Sequence, residues 1–398
     1  MAKATSQMVA VTGNEAVANA LRQANPHVCA MYPITPQTDI VQRFSAFVAD
    51  GVVDTELIPA ESEHSAMSAA IGASVGGARV ITATSSQGLA LMWEMLFIAS
   101  GMNAPVVMPV VNRALSAPIN IHGDHSDAMG ARDSGWVQLW SENAQEAYDN
   151  TIQAFRVAEH PALRLPVMVC LDGFIISHSI ENVQYLQDEE VRDFIGEFKA
   201  VNPLLDVKHP KSVGPLILPD LYMEYKRLQH EIMGRAKAVV LQVAEEFYRL
   251  SGRRYGLFEA YRLQDAEVAL VILNSAAGTS KDVVDALRDR GVKAGLLKPR
   301  LFRPFPYEEV GRALGHLKAV AVMDRADSFG GLGPMFMEVA SALYTAPGTQ
   351  KPKLVNKIYG LGGRDFMPEH AEAVFQELQE LAQGAEVKTV KEYIGVRE

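Results

Sequence analysis

The chain has 398 residues, 48% hydrophobic and 21% charged, enough to bury a full core in two or three domains of about 150 residues each. Its 37 basic and 47 acidic residues give a formal net charge of −10, and basic runs are as short as Arg253-Arg254, which leaves no electrostatic footprint for nucleic acid. No run of about 18 apolar residues occurs, so no membrane span is expected. The start, Met1 to Thr12, lacks the basic leader and apolar centre of an export signal, and a cytoplasmic protein is expected. The two cysteines, Cys29 and Cys170, sit between apolar neighbours without a nearby Cys or His, so both read as buried, inert thiols. A cubane iron–sulfur cluster takes about four thiolates, more than this chain has.

In chain order, Asn14 to Gln23 reads as a helix and Val28 to Tyr32 as a short strand, stopped by the turn Pro33-Ile34-Thr35-Pro36. Thr38 to Ala49 is amphipathic, with Ile40, Val41, Phe44, Phe47 and Val48 on one face. Glu56 to Pro59 reads as a strand. Ser62 to Gly76 is a helix rich in small residues that permit close packing. Arg79 to Ala83, Val106 to Val111 and Pro166 to Leu171 are nearly continuous apolar runs, the pattern of parallel strands covered on both faces. Glu181 to Pro219, with four prolines and acidic stretches, reads as an irregular excursion over a partner. A long helix spans Leu221 to Leu250.

A second unit begins after Asp265. Val268 to Leu273, Lys293 to Leu297, Ala319 to Met323 and Leu354 to Tyr359 read as strands. Gly278-Thr279 reads as a turn before a helix over Lys281 to Arg290, and Arg303-Pro304-Phe305-Pro306 as a breaker. Helices are expected over Met335 to Tyr344 and Pro368 to Ala382. This alternation predicts an α/β fold with helices on both sides of the sheets. The division is placed at 1–255, containing the irregular 181–219 segment and the linker helix 221–250, and 256–398.

Several motifs suggest chemistry. Gly330-Gly331-Leu332-Gly333 precedes a helix and invites a phosphate, but it is neither a Walker loop nor G-x-G-x-x-G, and a tight turn is the preferred reading. Asp124, His125 and Asp127 resemble metal ligands, yet nothing nearby converges on them, and a hydrogen-bonded loop is expected. Glu63 opens a helix behind the N-cap Ser62, where an acid suits the helix dipole; it reads equally well as a partly buried carboxylate with a raised pKa. Arg113 directly follows a buried strand, at the end where open parallel sheets bind ligands, and a guanidinium there can grip a carboxylate with two parallel hydrogen bonds. Thr35 also lies just past a strand end. No G-x-S-x-G, H-E-x-x-H or Cys–His pairing is present, so the chain carries no complete catalytic set.

Together, Tyr32-Pro-Ile-Thr-Pro36, Glu61-Ser-Glu63, Thr84-Ser-Ser-Gln-Gly88, Asn112-Arg-Ala-Leu-Ser116, Gly123-Asp-His-Ser-Asp127, Arg132-Asp-Ser-Gly-Trp136, Leu171-Asp-Gly-Phe174 and Leu301-Phe-Arg-Pro-Phe305 resemble the alpha subunits of the multi-subunit 2-oxoacid:ferredoxin oxidoreductases over nearly the whole chain. The resemblance implies an N-terminal α/β domain that receives the pyrimidine of thiamine diphosphate, followed by a domain like the C-terminal domain of transketolase. It implies that Glu63 contacts N1′ of the aminopyrimidine, that Pro33 lines the pyrimidine side, and that Thr35 and Arg113 hold the carbonyl and carboxylate of the substrate. It implies as well that coenzyme A takes the acyl group and that electrons leave singly to iron–sulfur clusters.

The family's diphosphate and magnesium site carries Gly-Asp-Gly with a downstream Asn. Here Asp172-Gly173 follows Leu171 instead. Mg2+ and [4Fe-4S] clusters are therefore assigned to partner chains: a beta subunit, a ferredoxin-like delta subunit and a gamma subunit, with ferredoxin as acceptor. Thr35 and the Arg113 to Asp127 segment look most like the pyruvate enzymes, with 2-oxoisovalerate, 2-oxoglutarate and oxalate as alternatives. A pocket difference of one methyl is worth only about 1–3 kcal/mol, which ranks such substrates poorly. A non-catalytic scaffold docking through 181–219 is the competing class, and a free-standing transketolase-like enzyme is disfavoured by the missing Gly-Asp-Gly.

Overall fold

The computed structural model describes residues 7–348 and 351–397, so Met1–Ser6 of the expected leaderless start lie outside the described residues. Eight strands come from the first part of the chain: β1 (Gln7–Thr12), β2 (Val28–Met31), β3 (Glu56–Pro59), β4 (Val80–Ile81), β5 (Val106–Asn112), β6 (Val137–Trp140), β7 (Val167–Asp172) and β8 (Ile180–Tyr185). Seven follow: β9 (Phe258–Tyr261), β10 (Val268–Ile272), β11 (Ala294–Pro299), β12 (Leu301–Arg303), β13 (Ala319–Asp324), β14 (Lys353–Ile358) and β15 (Lys391–Tyr393). They form a seven-stranded sheet, β12-β6-β7-β5-β4-β2-β3, a six-stranded sheet, β15-β14-β13-β10-β11-β9, and a small β1-β8 ribbon. The expected α/β class is thus observed, with parallel pairing through the centre of both large sheets.

Alternation along single strands explains the layering. On β5, Val107 and Val111 face one core, which holds the helices Gly13–Ala24 and Ala144–Ala158; Val106, Met108 and Val110 face a second core. That second core continues into the other sheet: Ala269 and Val271 of β10 and Val320 and Val322 of β13 belong to it. Their neighbours Val268, Leu270, Ile272, Ala319, Ala321 and Met323 face a third layer, beneath the helices Ala276–Asp289 and Pro368–Ala382. The two sheets therefore share one apolar layer, and their relative placement is fixed by packing.

Local chemistry sets the element ends. The helix Gly13–Ala24 starts at a capping box in which Thr12 and Glu15 bond reciprocally. Thr38–Ala49 and Pro368–Ala382 are helices over the expected spans. Other expectations are corrected. Gly278 and Thr279 are not a turn but lie inside the helix Ala276–Asp289. The 181–219 stretch holds β8 and the helix Asp188–Ile195, and irregular chain begins only at Gly196. The breaker at Arg303-Pro304 ends β12, which leaves the second unit and pairs antiparallel with β6 of the first sheet.

The linker is a 33-residue helix, Pro219–Ser251. Its second half buries Ala236, Val239, Val240, Val243 and Phe247, whereas in its first half Leu221, Tyr222, Met223, Tyr225 and Leu228 stand in solvent. No helix among the described residues is long and apolar enough to cross a membrane. Cys29 and Cys170 are fully buried, and burial pushes both thiols up.

Candidate functional site

The carboxyl ends of β2, β4, β5 and β7 open on one edge of the first sheet, and the register Asn112↔Asp172 sets the last residues of β5 and β7 side by side. The turn after β2 exposes Pro33 and Thr35. It is pinned from beneath: the Gln37 amide donates to the Ala83 carbonyl at 2.9 Å, and Asn14 donates to the Pro36 carbonyl at 2.8 Å. The Thr35 hydroxyl is thus offered outward from a fixed backbone.

Glu63 is the first residue of the helix Glu63–Gly76, whose N-cap Ser62 accepts from the Ser65 backbone. It is only 6% exposed, and no cation pairs with it among the described residues. Burial pushes the carboxyl above its ordinary range, opposed by its own backbone N–H. The carboxylate lies against the bare Cα of Gly88, where a Cβ would sit 2.6 Å from Glu63 Oε1 and 2.5 Å from Thr84 Oγ1.

Arg113 is also 6% exposed, and it too has no carboxylate partner among the described residues. Its Nη1 donates to the Thr35 carbonyl and its Nε to the Asn120 carbonyl, both at 3.0 Å. Burial draws its pKa down, with Asp127 opposing. A desolvated guanidinium with neutral partners favours an anion from outside.

Asp127 is the buried centre of this edge. Its Oδ2 accepts from the backbone N–H of Ser86 and of Arg113, both at 2.9 Å. Its Oδ1 accepts from the Asn112 amide at 2.9 Å and from Ala128 N–H at 2.7 Å. Burial raises the carboxyl to about 6 against these four donors.

Its two neighbours in the motif turn elsewhere. Asp124 accepts from Ser126 and from Gly362 N–H, and His125 Nε2 pairs with Asp172 Oδ1 at 2.7 Å. The three side chains serve separate hydrogen-bond networks and do not converge on one point. Glu142, Glu146 and Glu259 also converge, but the Lys298 and Lys281 ammonium groups already fill their centre.

The same edge joins the second unit. Asp172, at the end of β7, pairs with Arg325 Nη1 at 3.1 Å and accepts from Ser275 N–H. Burial alone would push Asp172 up, but Arg325 and His125 outweigh it and hold the carboxyl well below the usual range. The Gly-rich loop at 330–333 is a turn whose helix end is already occupied. Asp324 takes the N–H groups of Met335 and Phe336 at 2.7 and 3.1 Å, and a Cβ on Gly333 would fall 2.1 Å from Asp324 Oδ2.

The structure thus brings Thr35 against Arg113 and, through Asp127 and the Thr84–Gly88 loop, links both to Glu63; Pro33 stands on the exposed start of the Thr35 turn. Sequence reasoning gave no role in the site to Gly88, Asn112 or Arg325, and weighed Asp172 only against the Gly-Asp-Gly motif. The position of Gly88 shortly after a strand was the available signal for it.

Residues 19–245 match the family of pyruvate flavodoxin/ferredoxin oxidoreductase thiamine diphosphate-binding domains, and residues 266–371 match core domain II of pyruvate:ferredoxin oxidoreductase. The chain is 55% identical to pyruvate synthase subunit PorA of Thermotoga maritima, over 98% of this chain and 99% of that one. It is 48% identical to the PorA of Methanocaldococcus jannaschii, over 93% and 94%, and 42% identical to ketoisovalerate oxidoreductase subunit VorA of Pyrococcus abyssi, over 95% of each. Among solved structures, 2-oxoglutarate:ferredoxin oxidoreductase from Magnetococcus marinus shares the fold. Its TM-score is 0.70 at 22% identity, over 95% of this chain and 66% of that one. The expected resemblance is borne out: the chain belongs to the pyruvate flavodoxin/ferredoxin oxidoreductase family.

Proposed function

We propose that this chain is the alpha subunit of a pyruvate:ferredoxin oxidoreductase, contributing the pyrimidine half of a thiamine diphosphate site to the reversible conversion of pyruvate and coenzyme A to acetyl-CoA and carbon dioxide. The observation that carries the reading is a pair of desolvated charges on one sheet edge, neither with an ion-pair partner among the described residues: the Glu63 carboxyl, at a helix start, and the Arg113 guanidinium, just past the end of β5. The matched thiamine diphosphate-binding domain and the PorA relatives support it.

Residues and cofactor chemistry fit. Thiamine diphosphate, when bound, supplies the carbon nucleophile and electron sink for decarboxylation. A carboxyl raised by burial and free of cations suits proton exchange with a weakly basic ring nitrogen, the role assigned to Glu63. Arg113 binds the substrate carboxylate, and the Thr35 hydroxyl donates to its carbonyl oxygen. Pro33 lines the pyrimidine side.

The domain division at 255/256 is part of the proposal. Diphosphate, Mg2+ and a [4Fe-4S] cluster belong to a beta subunit, further clusters to a ferredoxin-like delta subunit, and a gamma subunit completes the assembly that passes electrons to ferredoxin in the cytoplasm. The apolar first half of the helix Pro219–Ser251 supports docking of partners. Pyruvate is favoured because the relatives at 55% and 48% identity are named pyruvate synthase subunits. The VorA relative makes a branched 2-oxoacid the second reading.

The test is 2-oxoacid-dependent ferredoxin reduction by the assembled complex, across several 2-oxoacids. Pyruvate is expected to be preferred, and Glu63→Gln to lower turnover by about 10²–10⁴ with the complex intact. Full turnover by the Glu63→Gln complex would refute the role of Glu63.

A further inference from the structure

Two loops on this sheet edge come from different strands and carry different halves of the site. Thr84–Gly88 packs Gly88 against Glu63, and Asn112–Arg113 presents the guanidinium. Backbone pairing joins their starts, Thr84 bonding to Pro109 and Val111. Ser86 adopts φ 46°, in the left-handed region that non-glycine residues rarely occupy, so the first loop is held rather than relaxed. Beyond that pairing it is held by Asp127 Oδ2, which receives the N–H of Ser86 and the N–H of Arg113 at 2.9 Å each. The Ser86 hydroxyl adds a bond to the Ala114 carbonyl on the second loop. Asp127 Oδ1 is meanwhile fixed by Asn112 Nδ2 and Ala128 N–H, so the carboxylate cannot rotate without losing four donors.

We propose that Asp127 is a positioning residue that keeps the Arg113 guanidinium in register with the Glu63–Gly88 wall by clasping both loops on one carboxylate oxygen. It touches neither substrate nor cofactor; it acts through Arg113. The inference rests on the proposed role of Arg113 in binding the 2-oxoacid. Asn is the informative replacement. It keeps the size of Asp, but one orientation of its amide sets an NH2 group against the two loop N–H groups and the other sets it against Asn112 Nδ2 and Ala128 N–H, so either way at least one backbone N–H loses its acceptor.

The experiment is a double-mutant cycle in the assembled complex, reading KM and kcat for pyruvate-dependent ferredoxin reduction. Asp127→Asn is expected to raise KM at least about tenfold in the wild-type background and less than about twofold in an Arg113→Ala background, because the group it positions is then gone. Equal KM increases in both backgrounds would overturn the proposal, as a merely structural role adds independently. So would an unchanged KM in Asp127→Asn alone.

If Asp127→Asn does not assemble, Asn112→Ala removes the one side-chain donor that fixes the carboxylate and leaves both loop N–H groups in place. A smaller KM increase that Arg113→Ala also erases supports the clasp, and no increase overturns it. An unchanged KM in Arg113→Ala by itself would refute the substrate role of Arg113, and the positioning role would fall with it.

Discussion

Gly88→Ala separates the geometry of the site from the stability of the fold. Gly88 lies in the helix Ser86–Leu91 and is not among the residues of positive φ, so alanine fits its backbone and even improves helix propensity by about 1 kcal/mol. The new methyl, however, would stand 2.6 Å from Glu63 Oε1, 2.9 Å from Glu63 Cγ and 2.5 Å from Thr84 Oγ1. To recover ordinary contact the carboxylate must retreat by about 0.8 Å, close to the 1 Å misplacement that costs about 10²-fold in rate. Glu63 Oε1 ends a side chain that can swing, whereas Glu63 Cγ and the buried Thr84 must give as well, so the fold loses about 1–3 kcal/mol. The assay is pyruvate-dependent ferredoxin reduction by the assembled complex, alongside a thermal melt. The expected result is a turnover loss of about 10²-fold with a melting temperature lowered by only a few degrees. Undiminished turnover would refute the account of Glu63, and a large fall in melting temperature would refute the claim that the cost is local.

Asp172→Asn leaves Arg325 buried without its carboxylate and is expected to cost about 3–5 kcal/mol at pH 7, read by denaturant unfolding. Because Asp172 is held below the usual range, its contribution is fully present above about pH 4 and lost as pH falls through the depressed value, so the deficit should shrink in strong acid. Lys298→Met leaves Glu142, Glu146 and Glu259 facing one another with only Lys281, which reaches Glu142 and Glu259, between them; a loss of about 3 kcal/mol is expected by thermal unfolding. Gly333→Ala would drive a methyl into the Asp324 carboxylate that caps the helix Pro334–Thr345, and a stability loss of about 2 kcal/mol or more is expected in the same assay.

The elements legible in the sequence are those whose reasons are local. Thr38–Ala49 has a clear apolar stripe, Pro368–Ala382 opens on proline, and the central runs of β5 and β7 are apolar throughout because both faces are covered. What was missed depends on distant pairing. β8 exists because β1 pairs with it, and three-residue β12 exists because β6 offers an edge. Gly278 is tolerated inside a helix that tertiary packing stabilises.

The site divides the same way. Arg113 and Thr35 stand at strand ends, where position alone raises interest. The work of Asp127 is invisible locally, since its donors include Ser86, 41 residues away, and nothing in Gly123-Asp-His-Ser-Asp127 tells a clasp from a metal ligand. Asp172 and Arg325 meet only because the two sheets share a core.

Whether this chain holds half of a cofactor site is decided by thiamine diphosphate titration with Mg2+, by calorimetry on the isolated chain and on the assembled complex. No measurable binding is expected from the chain alone, and about one cofactor per copy of the chain in the complex. Stoichiometric, Mg2+-dependent binding by the isolated chain would contradict it.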